Sequence, residues 1–416
     1  MISGISNNKK ILFISYDGMT DNLGQSQVIP YMIGLANLGY NIAILSAEKQ
    51  EIFQSKKAEI ETLLKQYDIK WIPIKYTKKP PIISTILDII NLKKTAEEYH
   101  LKEKIDIVHC RSYISAFAGL YLKRKYGVKF IFDMRGFYAD ERVDGNIWNL
   151  KNPIYKVVYN YFKKKELDYI KNADYTISLT ELAKKIIKKW EQFKNIEFPI
   201  QVIPCCADTE HFSKNNINEE LLKKFKVNLK INDNDFIISY LGSVGTWYLL
   251  DEMLLFFKQL LLKIPNAKFL FINKDEHEEI KNKASNIGIA TDRLILQGAS
   301  RSEVPTLLSL SKVSIFFIKP VFSKKASSPT KLAEILAMGI PVIANSGVGD
   351  IDKIFTENKI GLIINEFNTA EFSKKISSID EVLAIPTEKL VETSVNLFSL
   401  QRGIESYNKV YHSLLE

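Results

Sequence analysis

Short apolar runs recur along this chain, each closed by a polar or glycine-bearing turn and followed by a stretch of helical periodicity. In the first half they are 10–16 (KILFISY), 41–46 (NIAILS), 69–74, 105–109 (IDIVH), 129–133 (KFIFD), 175–179 (YTISL) and 201–204. In the second half they are 236–241 (FIISYL), 268–272 (KFLFI), 294–297 (LILQ), 313–318 (VSIFFI), 341–345 (PVIAN) and 361–364 (GLII). Runs this short, rich in Ile, Phe and Val and bounded by turn residues, read as buried strands. Their alternation with helices gives βαβ units and an α/β fold, in which ligands bind beyond the carboxyl ends of the strands. At 416 residues the chain is too long for one ordinary core, so two domains are expected. The charged, irregular stretch 215–232 places a hinge near 208–232.

Residues 327–345 (SSPTKLAEILAMGIPVIAN) read as turn, short helix, turn and buried strand. Ser328 suits a cap, Pro329 the first turn, Gly339 a left-handed stop, and Pro341 prevents continuation. The helix is apolar almost all round, which marks a buried helix. It nevertheless carries Glu334, with Lys331 one turn earlier. A buried carboxylate requires solvent, a partner or a ligand. The amides at this helix start are suited to phosphate, so the stretch reads as half of a nucleotide site, with phosphate at its tip and ribose hydroxyls on Glu334. A surface Glu on a half-exposed helix is the plain alternative.

Other candidates lie at strand ends. The loop 17–27 (DGMTDNLGQSQ) has Gly24, where a ligand can approach the backbone, and Gln25 and Gln27, which can bond hydroxyls; a tight turn is the alternative. Arg111 follows IDIVH. Asp133, Arg135, Asp140 and Glu141 lie at or beyond the end of KFIFD, where acidic and basic groups suit holding a sugar or supplying a base. The same loop carries Phe137 and Tyr138, expected to be exposed; a salt-bridged loop is the alternative. Gly242, Ser243 and Gly245 form a second strand–turn–helix unit with an anion-ready helix start. Lys319, Lys324 and Lys325 are placed to meet a diphosphate, or are solvated loop lysines. Asp233-Asn234-Asp235 spells a metal-diphosphate motif, but it precedes a strand and reads as a polar turn.

Three cysteines, two of them adjacent, do not make a disulfide framework and point to a reducing compartment. Neither they nor the five histidines show metal-ligand spacing, so no metal is expected. The start has too short an apolar run for a signal peptide, and no run of about 20 apolar residues occurs. A net charge of +9 favours an anionic partner: nucleic acid, a membrane surface or a phosphate-bearing substrate. No nucleic-acid motif is present, which makes nucleic acid the weakest of these. The basic loop 75–81 with helix 82–92, and the helix 152–172 with its lysine run 163–165, suit either an anionic membrane face or ordinary solvation.

Taken together, the two αβ halves, Gly24, a strand ending in VHCRS, the crossing segment IPCCADTEHF and SSPTKLAEILAMGIPVIAN resemble the retaining glycosyltransferases of family 4, which have the GT-B fold. The resemblance runs from about residue 10 to the closing helix. It implies two Rossmann-like domains facing a central cleft: residues 1–208 for the acceptor, with 396–416 crossing back onto them, and 209–395 for a UDP- or GDP-linked sugar. It implies Glu334 at the ribose, Gly242, Ser243, Lys319, Ser328, Thr330, Lys331 and Leu332 near the diphosphate, and Gln297 and Gly298 at the base. His109 and Arg135, with Asp133 and Glu141, take the catalytic positions, and Gly24, Gln25, Arg111 and Asp140 the acceptor side. No cofactor is implied. The expected acceptor is a glycan or lipid-linked glycan of bacterial surface polysaccharide synthesis, handled in the cytoplasm or at the inner membrane face. Two departures stand out. The family's Glu, seven residues, Glu pair has Ala326 at its first position, and the Arg and Lys after its first glycine turn are missing, with Ser243 and Tyr248 nearby. Lys319, Lys324 or Lys331 is then expected to neutralise the diphosphate. A nucleotide-sugar epimerase of the same fold and a non-catalytic sugar-binding partner are the rival readings.

Overall fold

A computed structural model describes residues 9–416. Residues 1–8, which belong to the start whose apolar run is expected to be too short for a signal peptide, lie outside the described residues. The chain divides into two compact units, Met1–Cys205 with Leu400–Glu416, and Cys206–Ser399.

The first unit is built on a seven-stranded parallel sheet. Its strands are β1 (Lys10–Ser15), β2 (Asn41–Glu48), β3 (Lys70–Lys75), β4 (Ile107–Arg111), β5 (Lys129–Asp133), β6 (Tyr175–Ser178) and β7 (Ile200–Val202). Their spatial order is β3-β2-β1-β4-β5-β6-β7, so the direction of winding reverses between β1 and β4. Ile14 pairs with Leu45 on one side and with Cys110 on the other. Strands covered on both faces are apolar on both, which is why β1, β2, β4 and β5 are nearly continuously hydrophobic.

The closing helix Leu400–Leu415 belongs to this unit. It rests against the helix Ile29–Asn37, where Gly34 makes room: a Cβ there would lie 2.1 Å from Ile404 Cδ1. Tyr407 and Tyr411, four residues apart and so on one helical face, are both buried. Tyr407 meets Tyr31 edge-on, and Tyr411 meets Tyr40.

The second unit has a six-stranded parallel sheet of β8 (Phe236–Leu241), β9 (Ala267–Ile272), β10 (Leu294–Gln297), β11 (Val313–Phe316), β12 (Val342–Asn345) and β13 (Gly361–Ile364). The order is β10-β9-β8-β11-β12-β13, and winding reverses between β8 and β11. Such reversals open a crevice at the carboxyl ends of the two central strands. The helix Thr330–Ala337 follows β11 and leads into β12. It is buried through Leu332, Ala333, Ile335, Leu336 and Ala337, as its composition predicts. Gly339, at φ +69°, supplies its left-handed stop. At the other end, Pro329 takes the cap position, and Ser328 stands one residue before it. Among the described residues, no helix is long and apolar enough to cross a membrane.

Candidate functional site

The second unit gathers cations at its reversal point. Beyond β8 the chain turns at Gly242, whose φ of +112° favours glycine. A Cβ at this turn would lie 3.2 Å from the Nζ of Lys331, so the ammonium packs closely over it. That ammonium, 8% exposed as a residue, sits 3.6 Å from the Tyr248 ring centre and 4.3 Å from that of Tyr240. It also donates to the Tyr240 hydroxyl at 3.2 Å, which in turn donates to Ser243 O at 2.6 Å. Burial pushes the Lys331 pKa down to about 7, against the pull of Glu334. The ring faces favour the charged form.

A second ammonium stands close by in the chain. Lys324 Nζ lies 3.7 Å from the ring centre of Trp247, on the turn after β8. Backbone bonds fix these loops: Lys319 N–H donates to Trp247 O at 2.9 Å, Leu249 N–H to Phe317 O at 3.0 Å, and Gly349 N–H to Lys324 O at 2.9 Å. Asn345 at the end of β12 clamps Ile318, accepting its N–H at 2.7 Å and donating to its carbonyl at 2.9 Å.

Glu334 is half-buried one turn after Lys331. Burial raises its carboxyl above the usual range, while Arg301 and Lys331 act to lower it. A half-buried carboxylate flanked by two cations is a ready acceptor for hydroxyl groups. The helix-start residues Ser328 and Thr330 are partly exposed. Leu332 is not available in the same way, because its N–H is taken by Pro329 O at 3.1 Å. Ser243 is exposed, and Gln297 and Gly298 are partly exposed at the end of β10, where Gln297 Nε2 donates to Gly298 O. The arrangement can accept an anion of high charge density beside a polyhydroxylated group.

Of the expected residues of the first unit, His109 and Arg135 meet at Asp133, while Gly24, Gln25 and Asp140 are engaged elsewhere. Arg111 and Asp17 form an ion pair (3.3 Å) where β4 and β1 end, at that sheet's own reversal point. His109 does not face outward. It is fully buried, with Nδ1 2.8 Å from the Tyr411 hydroxyl and its ring edge-on to Phe13. Mid-strand placement under the closing helix, rather than a strand end, accounts for this. Asp133 accepts a hydrogen bond from Tyr407 at 3.0 Å and lies 3.8 Å from Arg135 and 3.6 Å from His109. Arg135 donates to Cys205 Sγ at 3.1 Å. Asp140 accepts from Tyr159 at 2.8 Å and Lys163 at 2.9 Å, and Glu141 is only partly exposed on the same short helix. Phe137, expected on the surface, is buried against Trp190. Gly24 has no room for a ligand over it: a Cβ would lie 2.2 Å from Gly18 O, so this glycine serves chain packing. Gln25 Nε2 is bound to Thr20 O.

Sequence reasoning passed over Tyr240, Tyr248, Trp247 and Arg301 as site residues. Tyr248 stands near the place where the family pattern carries a cation. An aromatic at that position is the signal that a cation arrives from elsewhere, here Lys331. Among the described residues, no group of three or more His, Cys, Asp or Glu side chains is arranged to hold a metal.

The profile described as "Glycosyl transferases group 1" matches residues 223–383, and that described as "Glycosyltransferase Family 4" matches 32–211. No curated protein matches the sequence. Among solved structures, the fold is similar to a glycosyltransferase from Rickettsia africae, with 19% identity, 99% of each chain covered and a TM-score of 0.70. It is similar to sucrose-phosphate synthase of Thermosynechococcus elongatus, with 14% identity, 98% and 99% coverage and a TM-score of 0.72. It is also similar to Anabaena HepE, crystallised with UDP and glucose, with 13% identity, 97% and 100% coverage and a TM-score of 0.67. At these identities the likenesses show the fold, two Rossmann-like units of GT-B type.

Proposed function

The chain belongs to the family 4 type of GT-B glycosyltransferases, and from that premise we propose that its second unit holds a UDP- or GDP-linked sugar for retaining transfer. The observation that carries this reading is the Lys331 ammonium lodged against the Gly242 turn, at the start of the helix that bears Glu334. Diphosphate oxygens rest near Lys331, Lys324 and Lys319, on the amides of the Gly242–Ser243 turn and at the helix start by Ser328 and Thr330. Glu334 accepts the ribose hydroxyls, and the base lies by Gln297 and Gly298. That HepE was crystallised with UDP-glucose supports a donor of this class.

In the reaction, the bond between the anomeric carbon and the phosphate oxygen breaks as the acceptor oxygen bonds to the same face of the sugar. The acceptor proton passes to the departing phosphate oxygen. The side chains stabilise the charge growing on that phosphate and hold both sugars in line, and the scheme calls for no cofactor or metal. The acceptor is a glycan or lipid-linked glycan of surface polysaccharide synthesis, handled by the first unit.

Glu334→Ala tests the site. It is expected to weaken UDP or GDP affinity about 10–100-fold, the range for losing hydrogen bonds to a charged acceptor. Titration calorimetry reads the change, and unaltered affinity together with unaltered transfer would refute the placement.

A pH dependence follows from Lys331. Its pKa of about 7 means that above neutrality an incoming diphosphate must re-protonate it. Affinity is therefore expected to fall from pH 7 towards pH 9, by up to about tenfold per unit, with proton uptake on binding. Lys331→Met should flatten the profile. Calorimetry in buffers of different ionisation enthalpy measures the proton uptake.

A further inference from the structure

Two helices of the first unit carry exposed apolar stripes, part of each lining one groove. On Ile83–Glu103, the residues Ile83, Ile86, Leu87 and Ile90 recur at helical spacing, each more than half exposed. On Pro153–Asn172, Ile154, Val157 and Tyr161 repeat the pattern, at 62%, 68% and 47% exposure. The sequence admits both helices as ordinary solvated or core elements, but a solvated face carries polar side chains at these positions. Single exposed apolar residues need no explanation, whereas contiguous ones mark a binding surface.

The stripes meet across a cavity. Ile86 and Ile90 from one helix, and Val157 and Tyr161 from the other, line a concavity of about 790 Å³. Sites that take small molecules span roughly 300–1,000 Å³, with mostly apolar walls and a few convergent polar groups. The charged residues lining this one are Lys78, Lys93 and Arg142, and no carboxylate lines it. The basic loop is tied to the first of the two helices, since Asp88 accepts from both Thr77 N–H (3.0 Å) and the Tyr16 hydroxyl (2.8 Å). An apolar trough with cations as its only charged lining residues suits a molecule that is hydrocarbon along its length and anionic at its head. A polypeptide helix would find no acidic groups to pair with its basic residues, and a flat bilayer would not fill the concavity.

We propose that the groove between these two helices binds the hydrocarbon chain of a single phosphate-bearing amphiphile, with its phosphate on Lys78, Lys93 and Arg142. Identifying that amphiphile as the lipid anchor of the acceptor rests on the transfer reading above; the binding itself does not.

The test uses the full chain and farnesyl phosphate below its aggregation concentration, followed by titration calorimetry and thermal shift. Saturable one-to-one binding is expected. Farnesol should bind at least tenfold more weakly, and inorganic phosphate should give no shift. The double variant Ile86→Glu with Val157→Glu alters only exposed positions and should lose at least tenfold in affinity. Its UDP-induced thermal shift, which reads the nucleotide site, should equal that of the unsubstituted chain, so failure of one reading is separable from failure of the other. Equal farnesyl phosphate affinity in the variant overturns the proposal. So does association with phosphatidylserine vesicles without saturable binding of the monomeric amphiphile, which would make the surface a bilayer contact.

Discussion

Lys331→Met is expected to lower kcat/KM for sugar transfer by about 10²–10³, the range for removing one preorganised donor from a developing oxyanion. The same substitution should leave the unfolding midpoint unchanged or raise it. The reason lies in the electrostatics of the native state. Lys331 is buried between two aromatic faces, and burial disfavours its charge strongly enough to bring its pKa to about 7. Folding therefore works against protonation of this group below about pH 7. Stability is expected to rise with pH between about 7 and the ordinary lysine value near 10.4, where the unfolded chain binds the extra proton. Methionine removes that cost while keeping most of the packing volume. A group that destabilises the resting fold yet sits at an anion-ready turn is the pattern of a side chain retained for its ligand. Parallel measurements of transfer rate and chemical denaturation check this. A variant that loses stability and activity together would reduce Lys331 to a packing residue.

The strands were legible because parallel strands covered on both faces leave a signal that depends only on local composition. β13 is GLII in the sequence and in the fold, and the stop at Gly339 is a local backbone requirement. What escaped was set by contacts distant in the chain. His109 looks like a strand-end histidine until the closing helix, 302 positions later, brings Tyr411 to its Nδ1. The hydroxyl that accepts from Lys331 belongs to Tyr240, 91 positions earlier. No periodicity in the helix itself announces it. Phe137 has the polar neighbours of a surface loop, and its burial against Trp190 is a tertiary fact. The exposed stripe on Ile83–Glu103 has the opposite character. Its pattern is plain in the sequence, but only the fold shows that nothing among the described residues covers it fully.

The closing helix is also where the second large effect is expected: Asp133→Ala should destabilise the first unit by about 3–5 kcal/mol, the range for breaking a buried charge pair from one side. Asp133 is 1% exposed and accepts from Tyr407 of the closing helix, with the guanidinium of Arg135 alongside. Removing the carboxylate leaves Arg135 charged, with a side chain only 10% exposed that donates to the Cys205 sulfur. It also leaves the Tyr407 hydroxyl without its acceptor. Burial alone would raise the Asp133 carboxyl, yet Arg135, His109 and Arg111 hold it below the usual range. A carboxyl lowered in this way contributes its stability above about pH 3.9, and the contribution fades as pH falls through the lower native value. The gap between Asp133 and Asp133→Asn chains should therefore be constant above about pH 5 and narrow below pH 4. Two units need not unfold together, so hydrogen exchange in the closing helix is the sharper readout. Protection there should fall in Asp133→Ala while amides of β8 and β11 keep theirs. If the closing helix kept full protection, the Tyr407–Asp133 bond would not be what fastens it.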